Sequence, residues 1–549
     1  MNTKPMLTAV AAALFSLGAC VSAQAADLST CTTCHSNITK AHAGAAHKDI
    51  ACTSCHSGVD QHLKKVTDRP TVNMDPATCG GCHQAQYKSL YKDDGRAARQ
   101  SKKAPNGPAP DPFFDRALGA HGFTVEHDLP RAHVWMAIDQ FIVDRAFGGR
   151  FEPKDGWLYA TLDGGKSYKV WDVLKDNYPD NNVQKAHKPG TAAAANAVCW
   201  SCKSTDVMMD WAYLGDKVEG AQFSRSSNPV DVVRKVNHAI NCNFCHDPHT
   251  AQPRVVRDAL IDAVTRDDKS VPNVYRDVAA HPTKLDVKDV GVRGFTRKVA
   301  YMDKADSNLM CAQCHVEYIC NPGFDAKTGA KIGFDSRLTN HFPFVNADEI
   351  EQYYDKIGFR DFKHNLTGAA LVKMQHPDTE TYFGSKHDKA GATCATCHMP
   401  KVKDEKTGKM YTVHWATSPR HYMQETCLTC HKDKTAEQMN KAIDAMKGHY
   451  DGKVREAEAR MNDMFNAFEL AIASGVDEKT LDEARTDFHH HQANDGINQP
   501  TGDNPAQRDA DVRINSLTIK ARRGNHHADK SRAGTEITGH APAGNKEKQ

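Results

Sequence analysis

Residues 199–203 read Cys-Trp-Ser-Cys-Lys, and seven other stretches repeat the two-cysteine spacing but end in histidine. In chain order the eight are Cys31/Cys34/His35, Cys52/Cys55/His56, Cys79/Cys82/His83, Cys199/Cys202/Lys203, Cys242/Cys245/His246, Cys311/Cys314/His315, Cys394/Cys397/His398 and Cys427/Cys430/His431. Two thiols at this spacing bond a haem covalently, and the residue that follows becomes an axial iron ligand. One such motif could be chance or half of a zinc site. Eight at this density commit the chain to folding around covalent haem, and the single lysine marks the fourth haem as different in job.

The cysteine arithmetic agrees. Of 18 cysteines, the motifs use all but Cys20 and Cys320. No disulfide framework is needed, and a cytosolic zinc protein would rarely carry histidine directly after each pair. Hydrophobic residues make up 40% and aromatics 7% of the 549 residues, modest for this length. Haem can supply the missing apolar core volume. The expected fold is mainly α with little β: a multihaem cytochrome c fold, a haem-packed core and long C-terminal helices. A formal net charge of +2 argues against nucleic acid or an acidic membrane surface as main partner.

Residues 1–25 read as an export signal. Lys4 precedes an apolar run, Ala9 to Leu17, and Ala23-Gln24-Ala25 offers a small-residue cleavage site. Leu17-Gly18-Ala19-Cys20 is the rival, a lipoprotein-type site that would anchor the chain through Cys20. The AxA match favours ordinary cleavage, and both readings place the protein in the periplasm. No other segment reaches the ~18 apolar residues that crossing a bilayer needs.

Three motifs crowd residues 26–103, a three-haem N-terminal domain. The Pro-rich run Ala104 to Pro112 opens a five-haem catalytic domain, 104–435. A helical region spans 436–525. In it Ile443, Met446, Tyr450, Val454, Ala457, Met461, Phe465, Phe468 and Ile472 recur at spacings of three and four. Thr435 with Gln438 predicts a capping box and Gly475 a stop. A second helix is expected from Asp477 and a third from Asn504-Pro505 to before Gly524. The apolar stripe can pack on the body, form a subunit interface, or do both. Residues 526–549 are polar and expected to be disordered.

Histidine-ligated haems with a second histidine have no place for substrate and carry electrons. The lysine haem, open on its far side, is the candidate for catalysis. Seven distal histidines are needed. His47, His62, His133, His187, His238, His249, His281, His387, His414 and His421 are the candidates, and sequence does not pair them.

The combination of Cys199-Trp-Ser-Cys-Lys203, Cys311-Ala-Gln-Cys-His-Val-Glu-Tyr318 and Lys373-Met-Gln-His376-Pro resembles the ammonia-forming cytochrome c nitrite reductases. The pentahaem enzymes match the last five motifs. Three added N-terminal haems make the chain more similar to the octahaem nitrite reductases, over about residues 26–475. The resemblance implies six-electron reduction of nitrite, with hydroxylamine and sulfite as further substrates. Electrons would come from a periplasmic or membrane-associated cytochrome or quinol dehydrogenase. It also implies a homo-oligomer joined through the C-terminal helices. Tyr318 and His376 match the family's substrate-contacting pair, beside Lys203. Glu317, Tyr318, Lys373 and Gln375 match its calcium site, the lysine through its carbonyl; hard oxygen donors suit calcium. His387 and His414 match its distal ligands around the Cys394 motif. The family's arginine comes from upstream, and no arginine lies between Phe151 and Lys203. Asp144-Arg145-Ala-Phe-Gly-Gly-Arg150 is the source, Arg145 first and Arg150 second; the plainer role of either is to pair a haem propionate. Cys320 matches the octahaem cysteine bonded to the tyrosine ring; the plainer reading is a free buried thiol.

The chain departs from the family at Gly496-Ile-Asn-Gln-Pro500, where a histidine-bearing turn is expected, and at the triplet His489-His490-His491. Three other functions compete: octahaem hydroxylamine oxidation, reduction of tetrathionate or sulfite, and a haem wire with no open iron. Hydroxylamine oxidation calls for histidine in every motif, which Lys203 breaks.

Overall fold

The structure is a computed structural model. It describes residues 28–92, 133, 197–227, 232, 235, 238–266, 283–292, 294–320, 323–364, 366–372, 374–375 and 377–495. Among these, helices dominate and strands are short. The first helix, α1 (Leu28–Ala43), carries the first motif and is kinked at His35, whose backbone leaves helical values. The second and third motifs follow on short turns, joined by an antiparallel pair in which His56 faces Val72.

The largest core cluster gathers around the lysine motif. Trp200, Val207, Met208, Trp211, Leu260 and Phe342 are all 0% exposed. One wall of it is α2 (Asp258–Thr265), which buries Leu260, Ile261 and Ala263. Another is a three-stranded antiparallel sheet, β1 (Arg254–Val255), β2 (Leu285–Val292) and β3 (Phe295–Met302), with β3 in the centre. Leu285 pairs with Met302 and Val292 with Phe295, so β2 and β3 form a hairpin over a two-residue loop. Gly294 at its tip has φ +104, a value that favours glycine. Alternation along β3 buries Phe295, Arg297 and Val299.

A second cluster forms around α3 (Ile350–Ile357), with Ile319, Tyr354, Phe359 and Val372. The chain then enters α4 (Ala436–Ala473), 38 residues and so ~57 Å long. Its start is the expected capping box: the Thr435 side chain accepts from the Gln438 backbone, and Gln438 reaches back to Thr435. Gly475, at φ +71, lies just past its end. The following helix, α5 (Glu478–Asp495), packs back against it.

The stripe on α4 divides in two. Met464, Phe465 and Phe468 bury themselves with Leu371 and Leu481. No residue between 436 and 463 is buried, and Met446 is 47% exposed.

The haem motifs differ in how much protein surrounds them. Cys34, Cys82 and Cys430, the second thiols of the first, third and eighth motifs, are exposed. So are the histidines that follow them, His35, His83 and His431. Cys202, in the lysine motif, is buried. The reason lies in the neighbouring side chains. Among the described residues before Ala197, Leu90 is the only hydrophobic residue in the core. The eighth motif runs straight into the unburied first half of α4. With so little apolar surface nearby, protein packing cannot cover these thiols.

Among the described residues no helix is long and apolar enough to cross a membrane. The leader, the Pro-rich run, the third expected helix, the Gly496–Pro500 turn and the tail lie outside the described residues, as do the side chains of His489, His490 and His491.

Candidate functional site

Lys203 sits on a buried turn. The short helix Ala197–Trp200 ends there, and the Lys203 amide donates to the Trp200 carbonyl at 3.0 Å. Ser204 caps the next helix, Thr205–Met209, and its hydroxyl also donates to the His238 carbonyl at 2.7 Å. The lysine is thus held between two short helices against a wholly buried tryptophan.

Around this turn the sequence supplies a dense polar shell. Arg257 is 0% exposed and lies 5.1 Å above the Phe342 ring. Its Nη1 donates to Asp258 Oδ1 at 2.9 Å. Asp258, also 0% exposed, accepts from Trp211 Nε1 at 2.8 Å and Asn340 Nδ2 at 3.2 Å. A charge buried this deeply is tolerated only when its lone pairs are taken up, as here. Phe342 in turn lies 6.1 Å from the Tyr318 ring. Tyr318 is buried, and burial pushes its hydroxyl pKa up, so the phenol keeps its proton at neutral pH.

One residue before it, Glu317 is 0% exposed. Its Oε1 accepts from Tyr354 Oη at 2.6 Å and its Oε2 from the Gln375 amide at 2.7 Å. Burial outweighs these bonds and lifts its carboxyl to about 8. A carboxylate in this position calls for a proton or a cation. Gln375 brings an amide group to the same spot, its Nε2 donating to the Cys320 sulfur at 3.1 Å. Glu317 and Gln375 could therefore hold a hard cation together. Among the described residues no cluster of three His, Cys, Asp or Glu side chains forms a closed metal site. Arg145, Lys373 and His376 lie outside the described residues.

The histidines fall into facing pairs. Ring centroids are 6.1 Å apart for His35 and His62, 6.1 Å for His83 and His47, and 6.1 Å for His56 and His249. They are 6.2 Å apart for His315 and His133, and 6.4 Å for His431 and His387. Rings that far apart cannot hydrogen-bond to one another. The gap suits one metal ion bonded at about 2 Å to a nitrogen on each side. That is the fit expected of two-histidine haem sites. The exposed first, third and eighth motifs keep this fit, so their surface position leaves the ligand pairs His35/His62, His83/His47 and His431/His387 intact. Burial pushes His133 down to about 4, with His315 and Lys203 adding to it, so the ring is neutral and free to bind iron.

His414 lies close enough to His246 to depress its pKa. His387, which precedes the Cys394 motif in sequence, faces the histidine of the Cys427 motif instead. His238 Nδ1 lies 2.9 Å from Asp206 Oδ1, and His421 packs on Trp415. His187 and His281 lie outside the described residues. A cavity of about 840 Å³ opens beside Cys55 and His56, lined on its far side by Asp206, Lys235 and His238. It is roomy enough for a haem, with polar groups that suit propionates.

Cysteines of different motifs lie side by side. Cys202 pairs with Cys314, Cys311 with Cys394, and Cys79 with Cys242. Gln313, inside the Cys311 motif, points Nε2 at the Cys245 sulfur, 4.0 Å away. The Cys311–His315 motif is therefore the junction, touching the lysine motif, the fifth and the seventh.

Sequence reasoning missed the carboxylates behind these groups. Asp378 Oδ2 lies 2.8 Å from His315 Nδ1, and Glu380 Oε1 accepts from the Glu317 amide at 3.0 Å. The only signal was two acids spaced one apart directly after His376-Pro377.

Facing histidines at metal-bridging distance, beside the paired thiols, define a multihaem c-type cytochrome. The chain belongs to the cytochrome c552 family, whose model matches residues 161–495, more than half of its length. It is 30% identical over 370 residues to cytochrome c-552 of Haemophilus influenzae Rd, and 29% identical over 369 residues to that of strain 86-028NP. It is 28% identical over 294 residues to the cytochrome c nitrite reductase subunit NrfA of Nitratidesulfovibrio vulgaris. The matches cover 63%, 63% and 51% of this chain but only 58%, 58% and 47% of those relatives. The fold is similar to the catalytic subunit of the Desulfovibrio desulfuricans cytochrome c nitrite reductase, which is described as having two calcium sites. There the TM-score is 0.52 at 21% identity, over 84% of this chain and 89% of that one.

Proposed function

We propose that this chain is a periplasmic octahaem nitrite reductase that converts nitrite to ammonium at the Lys203 site. The observation that carries the reading is the shell of Tyr318, Glu317 and Gln375 packed beside the lysine turn. Tyr318, a proton-holding phenol, lies near Cys199 and Cys202 of the one motif without histidine, and its chain neighbour Glu317 is a buried carboxylate bonded to Gln375. Haem, when bound, supplies the stored electrons and, at Lys203, an iron with an exchangeable position.

The chain's own residues account for the rest. Reducing nitrite to ammonium takes six electrons and eight protons, so the site must bind an anion and feed it protons. Arg145 and His376 are assigned to hold the anion, His376 and Tyr318 to donate. Tyr318 keeps a proton to give, since burial raises its pKa. Calcium is assigned to Glu317, Gln375 and the carbonyls of Tyr318 and Lys373; it neutralises the Glu317 carboxylate and raises the local potential toward an anion. Tyr318 and Cys320 are joined through sulfur. Hydroxylamine fits the same site.

Eight haems follow from the eight motifs, with residues 1–25 removed on export. Residues 26–103 and 104–435 form the three-haem and five-haem domains, and 436–525 the helical region. The first half of α4 joins two subunits, which its unburied stripe supports. A periplasmic or membrane-associated donor supplies the electrons, and the motifs with exposed Cys34, Cys82 and Cys430 are the places it can reach.

The test is reduction of nitrite by the purified holoprotein with reduced viologen, with ammonium measured as product. Stoichiometric ammonium is expected, together with a high-spin absorption component that responds to nitrite. Its absence, with all haems six-coordinate, would leave only an electron wire.

A further inference from the structure

We propose that Asp378 is a positioning residue that makes His315 a stronger donor than the axial histidines whose Nδ1 meets a main-chain carbonyl, and so lowers the reduction potential of the haem beside the Lys203 site. The inference rests on the reading of His315 as an iron ligand.

The observation is a difference in Nδ1 partners. His47 meets the Pro248 carbonyl at 3.0 Å, His62 the Asp68 carbonyl at 3.1 Å, His398 the Thr417 carbonyl at 3.0 Å, and His414 the Thr412 carbonyl at 2.8 Å. All four are main-chain oxygens. His315 meets a carboxylate, Asp378 Oδ2, at 2.8 Å. His249 has Asp247 only at 3.8 Å, beyond hydrogen-bond length. His238 also has a carboxylate on Nδ1, Asp206 Oδ1 at 2.9 Å, but it stands in none of the five facing pairs.

The carboxylate is held in place. Asp378 opens the short helix Asp378–Tyr382. The next residue, Thr379, donates to the His315 carbonyl twice, from its amide at 3.1 Å and its hydroxyl at 2.6 Å. Glu380 then takes the Glu317 amide at 3.0 Å. Thr379 and Glu380 thus grip His315-Val316-Glu317 at both ends and hold the Asp378 backbone beside the His315 ring.

The physics gives the sign. A carboxylate accepting the Nδ1 proton pushes electron density onto the other ring nitrogen. A stronger donor stabilises ferric over ferrous iron and lowers the potential of that one-electron couple. No bond is made or broken. A neutral carbonyl does this far less. Position gives the consequence. Cys202 Sγ lies 3.9 Å from the Gln313 carbonyl and Cys314 Sγ 4.0 Å from the Cys202 carbonyl, so this haem is the neighbour of the lysine site. Its potential therefore sets the driving force for electron transfer into the lysine site.

The experiment is potentiometric titration of the fully haem-loaded protein with dithionite, followed by electronic and paramagnetic resonance spectra, for wild type, Asp378→Asn and Asp378→Glu. In Asp378→Asn one low-spin haem moves to higher potential and the others stay; Asp378→Glu returns it toward the wild-type value. Unchanged potentials in Asp378→Asn at full haem content overturn the proposal. If that variant does not load haem, the wild type decides alone. Near-infrared magnetic circular dichroism of the ferric protein should show one haem whose charge-transfer band is displaced to higher energy, the mark of imidazolate character. A single uniform band would overturn the proposal. Neither readout involves nitrite, so failure of the nitrite reading leaves both standing.

Discussion

His56 and His249 stack across a 6.1 Å gap with their planes 14° from parallel, one ring from the N-terminal three-motif segment and the other from just after the fifth motif. His47 repeats the link, its Nδ1 3.0 Å from the Pro248 carbonyl. A haem on the second motif would draw a ligand from each segment, and that ligand pair would bolt them together. A ligand pair adds to the small apolar interface that Leu90 and Tyr91 make with the main core, while Ile38, Ile50, Leu63 and Val66 are all more than 40% exposed.

Replacing His249 by Ala should therefore do two things. All thioether-bound haem stays, but one low-spin haem becomes high-spin. Limited proteolysis should then release a fragment near residues 26–103 faster than from wild type. A spectrum identical to wild type would disconnect His249 from the second haem.

Lys203→His should keep full haem content and lower nitrite turnover at least tenfold, about 1.4 kcal/mol in the barrier. The high-spin component should persist if only the proximal ligand changes. Equal turnover in both proteins would remove Lys203 from the chemistry.

Calcium removal tests Glu317. Its carboxyl is lifted to about 8 by burial, so in the metal-free protein it holds a proton at neutral pH. A raised folded pKa favours the protonated fold at low pH and loses that advantage as pH climbs through about 8. Calcium must displace the proton. Calorimetric titration should show close to one proton released per calcium at pH 7, and affinity rising about tenfold per pH unit below that pKa. Glu317→Gln should bind weakly with no proton release. Calcium binding that ignores pH would point to a different ligand set.

His341 gives a test of acid stability. Its Nε2 lies 2.5 Å from Tyr353 Oη, and burial, helped by Arg266, pushes it down to about 3. A histidine whose folded pKa is depressed contributes stability that is present above its unfolded pKa and lost as pH falls. Between pH 6.5 and 4.5 the loss should be roughly 2–3 kcal/mol. His341→Gln keeps a hydrogen-bonding group without the titration and should flatten that slope in thermal melts. A slope unchanged in the variant would assign acid lability to other groups.

The sequence was most legible where chemistry is local. Each CxxC pair and its next residue declares a covalent site without any fold, and Thr435 with Gln438 marked the start of α4 because a capping box spans four residues. Depth was not legible from the same motifs. Cys34, Cys82 and Cys430 read like Cys202 in sequence, yet only Cys202 is buried, because burial depends on apolar neighbours brought from elsewhere in the chain. Pairing was illegible for a related reason. His249 meets His56, and His133 meets His315, across long stretches of chain, and ten candidate histidines offer no local cue to choose among them. Buried support was hidden as well. Arg257, Asp258, Asp378 and Glu380 look like ordinary surface charges in sequence; burial distinguishes Arg257, Asp258 and Glu380, and the His315 partner distinguishes Asp378.

Tyr318 and Cys320 carry the last prediction. With the leader removed at Ala25, Cys320 is the only cysteine outside the haem motifs. It is 2% exposed, and the Gln375 amide points at its sulfur from 3.1 Å. The thiol lies two residues from the buried Tyr318 phenol, and its charge acts on that phenol. A bond from sulfur to the tyrosine ring removes two hydrogens in all, one from the thiol and one from the ring; the two protons would go to water and the two electrons to two ferric haems. The ring bearing sulfur ionises more readily than ordinary tyrosine, which counters the upward push of burial on Tyr318 and suits a proton donor. Peptide mass spectrometry of active enzyme should find the 318–320 peptide lighter by two hydrogens and resistant to alkylation. Cys320→Ser should keep its haems and lose the mass deficit, with slower nitrite turnover. A Cys320 that alkylates completely in active enzyme would return it to the role of a small buried hydrophobe.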